Sequence, residues 1–155
     1  MRIYKKQPVE ERFWEKVGSH DDPTKCWLWT AATVKNAGNL QYGVFRVSGR
    51  NVRVHRLSYE MYYHTTIPVG MTIDHVKARG CISTLCVNPH HLEVVTSKVN
   101  TLRGNTLAAS KARQTHCVHG HPFTEENTYV YFGMRYCRVC RAEAVRRYAK
   151  KAKHG

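Results

Sequence analysis

Acidic residues are scarce in this chain. Asp and Glu number 11 against 25 Lys and Arg, which leaves a formal charge of +14 and a pI near 9.8. A balance that basic argues for a polyanionic partner, most simply nucleic acid. Long apolar runs are missing too. No stretch approaches 18 apolar residues, so no membrane-spanning segment and no membrane partner are expected. The opening "MRIYKKQPVEERFW" lacks the apolar core of a secretory signal, and an intracellular, cytoplasmic location is expected. The chain has no internal repeat. In a reducing compartment the six cysteines favour metal ligation over disulfides, and the ten histidines point the same way.

The 155 residues suffice for one ordinary domain, or for a small domain plus a metal-stapled module. "QPVEERFWEKVG" predicts a helix with Pro8 at its first helical position and Phe13, Trp14 and Val17 as an apolar stripe ending at Gly18. "CWLWT" alternates like a strand, with Trp27 and Trp29 on one side. "QYGVFRV" and "NVRVHR" flank "SGR" and read as a hairpin. "HRLSYEMYYH" reads as a helix, and "IPVGMTIDH" as a loop entering a short strand. Asn88-Pro89 has the form of an N-cap and first helical residue. "EVV" is a short strand and "TSKVNTLRG" a capped helix ending at Gly104. "NTLAASKARQT" has one large apolar residue, Leu107, and reads as a linker. The expected organisation is a domain over residues 1–104, a linker over 105–115, and a basic module over 116–155.

Chemistry concentrates in "IDHVKARGCISTLCVNPHHLEVV", residues 73–95. Hydrolysis of a phosphodiester needs a base for water, neutralisation of phosphate charge, and stabilisation of the leaving oxygen. One imidazole can do the first, and one divalent cation the other two. Mg²⁺ keeps several waters and needs few protein ligands, so a carboxylate with an imidazole suffices and also admits Mn²⁺. Asp74 and His75 are adjacent, so a strand points them to opposite sides. His91 can turn back towards Asp74.

The run "DH", a spacer, then "CVNPHHLEVVT", preceded by "VHRLSYE", resembles the HNH endonucleases, the His-Me finger or ββα-metal nucleases. The similarity is strongest to small phage-type members with paired cysteines. It extends to "ERFWEKV", "CWLW" and "QYGVFRV", and to "THCVHGHPFTEENTYVYFGMRYCRVCR", which looks like the zinc module following that domain. The resemblance covers roughly residues 10–145. It implies an α+β fold: a ββα-metal core with an N-terminal helix and β-hairpin, then a zinc-stapled module. It implies His75 as general base, Asp74 and His91 as ligands of the catalytic Mg²⁺ or Mn²⁺, and Asn88 as the residue that braces the loop and orients the base. His90 falls at a variable place and carries no role. The spacer from His75 to Asn88, twelve residues, is longer than in many members. Its Lys77 and Arg79 either touch DNA phosphate or are solvated. Arg56, in the His-Arg pair, either contacts phosphate or braces the site. Arg103, Arg146 and Arg147 complete the expected DNA-contacting set.

Cys117, Cys137 and Cys140 with one imidazole make a closed tetrahedral zinc set. The Gly-His-Pro resemblance selects His121, with His119 and His116 as alternatives. Cys81 and Cys86, joined by Cys26 if the N-terminal strand packs nearby, suggest a second structural zinc. Its fourth ligand stays open between His20, His55, a further histidine and water. The function expected is metal-dependent cleavage of double-stranded DNA, leaving a 3′-hydroxyl and a 5′-phosphate. Nicking follows if the protein acts as a monomer, and a homodimer is equally open. The rivals are a zinc-dependent DNA-binding regulator without catalysis, and a homing or restriction enzyme with a long recognition site.

Overall fold

The computed structural model describes residues 7–36 and 38–153. The expectations for the first six residues lie outside that range. Helices and small antiparallel sheets are mixed along the chain, an α+β class. The chain divides into two compact units, Met1–Arg103 and Gly104–Gly155.

The first unit opens with helix α1, Val9–Trp14. Pro8 is extended (φ −52°, ψ 149°), so it stands just before the helix and not inside it. The helix is shorter than its apolar stripe suggested, because a turn follows and Val17 bridges Trp29. "CWLW" forms two isolated bridges, Val17–Trp29 and Leu28–Cys86, and no continuous strand. Its alternation survives: Trp27 and Trp29 are buried and Leu28 is 45% exposed. The indole N–H groups of the two tryptophans donate to the carbonyls of Asp22 and Ala32, which removes the cost of burying them.

A three-stranded antiparallel sheet follows in the order β1 (Thr33–Lys35), β2 (Gln41–Val47), β3 (Arg50–Arg53). The hairpin turns through Ser48 (φ 46°) and Gly49 (φ 83°), both left-handed, as a two-residue hairpin loop requires. Phe13, Val17, Trp27, Trp29, Phe45, Val54 and Val87 form the core over this sheet. Gly43 is the tightest point of that core. A Cβ there would strike Val54 Cγ2 and lie 2.6 Å from Trp29 Cδ1. Gly43→Ala is expected to lower stability by about 1–3 kcal/mol, the usual cost of overpacking, measured as the shift of the denaturant midpoint.

Helix α2, Val54–Tyr62, leads to strand β4, Met71–His75. β4 pairs antiparallel with β5, Leu92–Thr96, placing His75 opposite Leu92 and Asp74 opposite Glu93. Between them lie two single 3₁₀ turns, Lys77–Arg79 and Pro89–His91. Helix α3, Ser97–Arg103, follows β5 directly and packs on both strands. The Thr96 hydroxyl caps it by accepting from Val99 N. Ile67, Ile73 and Leu92 form a second small core.

The second unit begins where a linker was expected. Residues 107–113 are a helix, α4 (Leu107–Arg113), capped by the Thr106 hydroxyl on Ala109 N, with Ala109 fully buried. A capping threonine and a small apolar side chain can order a segment that lacks large apolar residues. Strands β6 (Thr128–Tyr131) and β7 (Met134–Cys137) form a hairpin that runs straight into α5, Arg138–Ala152. No helix among the described residues is long and apolar enough to cross a membrane.

Candidate functional site

Among the described residues two groups of cysteine and histidine converge, one in each unit. In the first unit they are Cys26, Cys81, Cys86 and His91, whose ligand atoms all lie within 4.8 Å of one another. His91 Nδ1 is 3.7 Å from both Cys26 Sγ and Cys86 Sγ. Tetrahedral Zn²⁺, with bonds of about 2.3 Å to sulfur and 2.0–2.1 Å to nitrogen, sets its ligand atoms roughly 3.5–3.8 Å apart. The set can hold a metal ion such as zinc, and it is closed: three thiols, one imidazole, no oxygen donor.

Each ligand is delivered by local structure. Asn88, fully buried, donates through Nδ2 to the carbonyls of Pro23 (2.8 Å) and Lys25 (2.6 Å) and accepts from His90 N through Oδ1. It therefore ties the loop before Cys26 to the turn that ends in His91. Gly80, at φ 85°, closes the Lys77–Arg79 turn and releases Cys81, and the bridge with Leu28 fixes Cys86. Ile82 N donates to Cys26 Sγ at 3.5 Å, which fixes the position of that sulfur. The Cys81–Cys86 hydrogen bond holds the Cys81 thiol down at about 7 and pushes Cys86 up. Burial lowers His91 below its usual range, towards the neutral form a metal requires.

This placement answers one open point and changes another. The histidine that converges with the three thiols is His91. Of the other candidates, His20 stacks on Trp14 and His55 packs on His75. His91 was expected beside Asp74; its Nδ1 faces the thiols instead. The sequence did carry the signal. Cys81, Cys86 and His91 are separated by equal gaps of four residues, a ligand spacing in its own right.

In the second unit Cys117, His121, Cys137 and Cys140 converge, as the sequence indicated. His121 Nδ1 lies 3.6 Å from Cys117 Sγ and 3.3 Å from Cys140 Sγ, and the two sulfurs are 3.6 Å apart. Cys117 N donates to the His121 carbonyl, and Cys140 N to Cys137 Sγ, so both knuckles are set by backbone. Asn127 braces the unit through Pro122 O and Val139 N. His116 bridges Pro122 outside the set.

β4 carries Asp74 and His75 to opposite sides. His75 Nε2 is 3.1 Å from the Cys86 carbonyl oxygen. A carbonyl only accepts, so Nε2 carries the proton and Nδ1 keeps a lone pair. Burial lowers the pKa of His75, so the ring is neutral at neutral pH. His55 packs at 5.2 Å ring to ring, with Tyr42 5.8 Å from His55 and 6.5 Å from His75. His55 is 7% exposed and its Nδ1 has no partner among the described residues. Burial, with the repulsion that His75 adds when it is protonated, pushes it down to about 3.

On the other side Arg103, from α3, grips Glu93 with two nitrogens (3.0 and 3.3 Å) and touches Asp74 Oδ2 at 3.1 Å with one. Arg79 also binds Glu93, at 3.3 Å, and donates to the Leu92 carbonyl. Arg56 donates to the Met71 carbonyl. Of the arginines expected on DNA, these three therefore hold internal partners. Lys77, Arg146 and Arg147 are exposed. His90 is exposed and shares a hydrogen bond with the Tyr62 hydroxyl. Asn100 is half-buried on α3, one turn before Arg103 and on the same helix face.

Comparison of the chain with models of known protein families, with curated proteins and with solved structures finds no match.

Proposed function

We propose that the protein is a divalent-metal-dependent endonuclease of the HNH type that hydrolyses DNA phosphodiester bonds. The observation that carries the reading is the His75 hydrogen bond to the Cys86 carbonyl. It fixes the tautomer, so a neutral imidazole presents Nδ1 as a proton acceptor. The arrangement β4, β5, α3, with a carboxylate beside that imidazole, supports the same reading.

Asp74 is the ligand for the hydrolytic cation. His91 does not serve it, because its Nδ1 belongs to the thiol set and thiolates suit soft metals. Glu93 is neutralised by two arginines, whereas Asp74 meets Arg103 through one oxygen only. Asn100 supplies the second oxygen donor from α3, and oxygen donors fit Mg²⁺ or Mn²⁺. Bound there, the cation supplies charge neutralisation at the phosphate and at the leaving oxygen. His75 Nδ1 takes the proton from the attacking water. The Cys86 carbonyl holds the imidazole in place and stabilises the cationic ring that results. Asn88 does not reach the reacting atoms in this scheme. It is a positioning residue that acts through the Cys26–His91 set.

The second unit grips DNA. It holds ten lysines and arginines against three acids, and α5 carries Arg138, Arg141, Arg146, Arg147, Lys150 and Lys151 against Glu143 alone. Such contacts are mostly to phosphate and weaken with salt. The test is supercoiled plasmid with Mg²⁺ or Mn²⁺, with and without chelator. Relaxed circles or linear product with metal, and none with chelator, are expected. Plasmid that binds the protein yet stays supercoiled under every condition would leave a zinc-dependent DNA-binding protein without catalysis.

A further inference from the structure

The second unit has a groove that phosphate binding alone does not explain. It lies between β6 and α5, is open to solvent, and has a volume of about 550 Å³. Its lining is Tyr129, Arg138, Arg141, Ala142, Val145 and Arg146. The helical contributors fall at intervals of three and four, so they form one stripe along α5. Tyr129 stacks on Tyr136, with ring centroids 5.2 Å apart and planes 19° from parallel. The guanidinium carbons of Arg141 and Arg138 stand 5.0 and 5.8 Å from the Tyr129 centroid. Arg138 is tethered to the Thr128 carbonyl, while no carboxylate pairs with Arg141 or Arg146 among the described residues. Val145, in the lining, is 60% exposed and Tyr148, further along α5, is 77% exposed.

A duplex offers this face sugar and phosphate, its bases being stacked away. Exposed cations would be enough for that, and the aromatic stack and apolar lining would gain nothing. An acidic peptide offers carboxylates and no π faces. An unpaired strand offers both parts at once: flat bases to continue a tyrosine–guanidinium stack, and phosphates for the arginine rim. The volume lies within the roughly 300–1,000 Å³ of small-ligand clefts, on the order of one nucleotide and well short of a duplex.

We infer that the groove between β6 and α5 binds an unpaired nucleotide of a single-stranded nucleic acid by stacking. This rests on the nucleic-acid partner proposed above and not on cleavage. It directs the protein towards substrates with an unpaired segment, such as flaps, gaps or frayed ends.

The test uses the full chain and fluorescence anisotropy at matched salt. The probes are a 12-nucleotide mixed-sequence strand, a strand of equal length whose central residues are abasic, and a duplex. Stacking is worth roughly 5- to 100-fold in affinity per base, and base removal leaves the phosphates untouched. The intact strand is expected to bind about tenfold or more tighter than the abasic one. Tyr129→Leu and Arg141→Gln are expected to bring that ratio towards one, with retained zinc at the Cys117 set showing that the unit is folded. Should Tyr129→Leu lose its metal, Arg141→Gln and Val145→Ser carry the comparison. Equal affinity of the parent for both strands overturns the inference. So does displacement of the strand by polyglutamate of equal charge as readily as by an unlabelled strand, which makes the groove an acidic-peptide site. If the duplex still binds with steep salt dependence in either case, the proposed function stands alone. If no nucleic acid binds, both fall.

Discussion

A His75→Ala protein is expected to bind DNA as the parent does and to nick it 10² to 10⁴ times more slowly, the usual worth of a positioned proton acceptor. The two halves of that expectation have separate causes. On the proposed reading affinity would come from exposed cations, concentrated on α5, and His75 is not among them. Rate would come from Nδ1, whose lone pair is left free because Nε2 is committed to the Cys86 carbonyl. His75 is half-buried, and its ring touches the rings of His55 and Tyr42, so truncation leaves a void beside them. His75→Gln therefore serves as the companion variant, since it fills more of the space without offering an imidazole base. Both variants are to be measured for supercoiled-plasmid nicking at saturating protein, beside anisotropy on the same DNA. Nicking above about a tenth of the parental rate in both would place the base elsewhere. His55, whose buried Nδ1 lacks a partner among the described residues, would then be the residue to remove.

What the sequence made legible was whatever a short window encodes. The hairpin around Ser48-Gly49 was visible because two alternating runs flank a turn that needs left-handed backbone. The Asn88-Pro89 cap was visible because its hydrogen bond spans two residues. The second metal set was visible because Cys137 and Cys140 lie one turn apart and Cys117 and His121 form a knuckle. What was missed depends on packing between distant segments. The α1 helix ends early because Val17 is drawn into a bridge with Trp29, twelve residues on. α4 was taken for a linker because its stability comes from one cap and one buried alanine, which periodicity does not register. Cys26 joins a set 55 to 65 residues away only because Asn88 clamps Pro23 and Lys25. The side to which His91 Nδ1 turns was not legible for a related reason. Two histidine functions compete for one position, and a linear spacing to Asp74 carries no information on which way an imidazole turns.

The role of His91 separates cleanly by experiment. If His91 completes the thiol set, His91→Ala is expected to drop the tightly held zinc from two ions per chain to one. The first unit should then lose cooperative melting. Structural zinc contributes on the order of 10–16 kcal/mol in small metal-folded peptides, comparable to or above the 5–15 kcal/mol of net stability typical of a domain. Cleavage would be lost with the fold, because Cys86 presents both a metal-binding sulfur and the carbonyl that holds His75. His91→Cys discriminates further. Zn²⁺ accepts four thiolates as readily as three and an imidazole, so this variant is expected to keep two zinc ions, a folded first unit and most of its nicking. A hard cation beside Asp74 would reject the same substitution, since thiolate is the wrong donor for Mg²⁺. Metal analysis, a thermal melt and the plasmid assay on the two variants thus give opposite patterns for the two roles. A His91→Ala protein that stays folded with two zinc ions but no longer nicks would return His91 to the catalytic cation. Cys26, Cys81 and Cys86 would then have to find their fourth partner elsewhere.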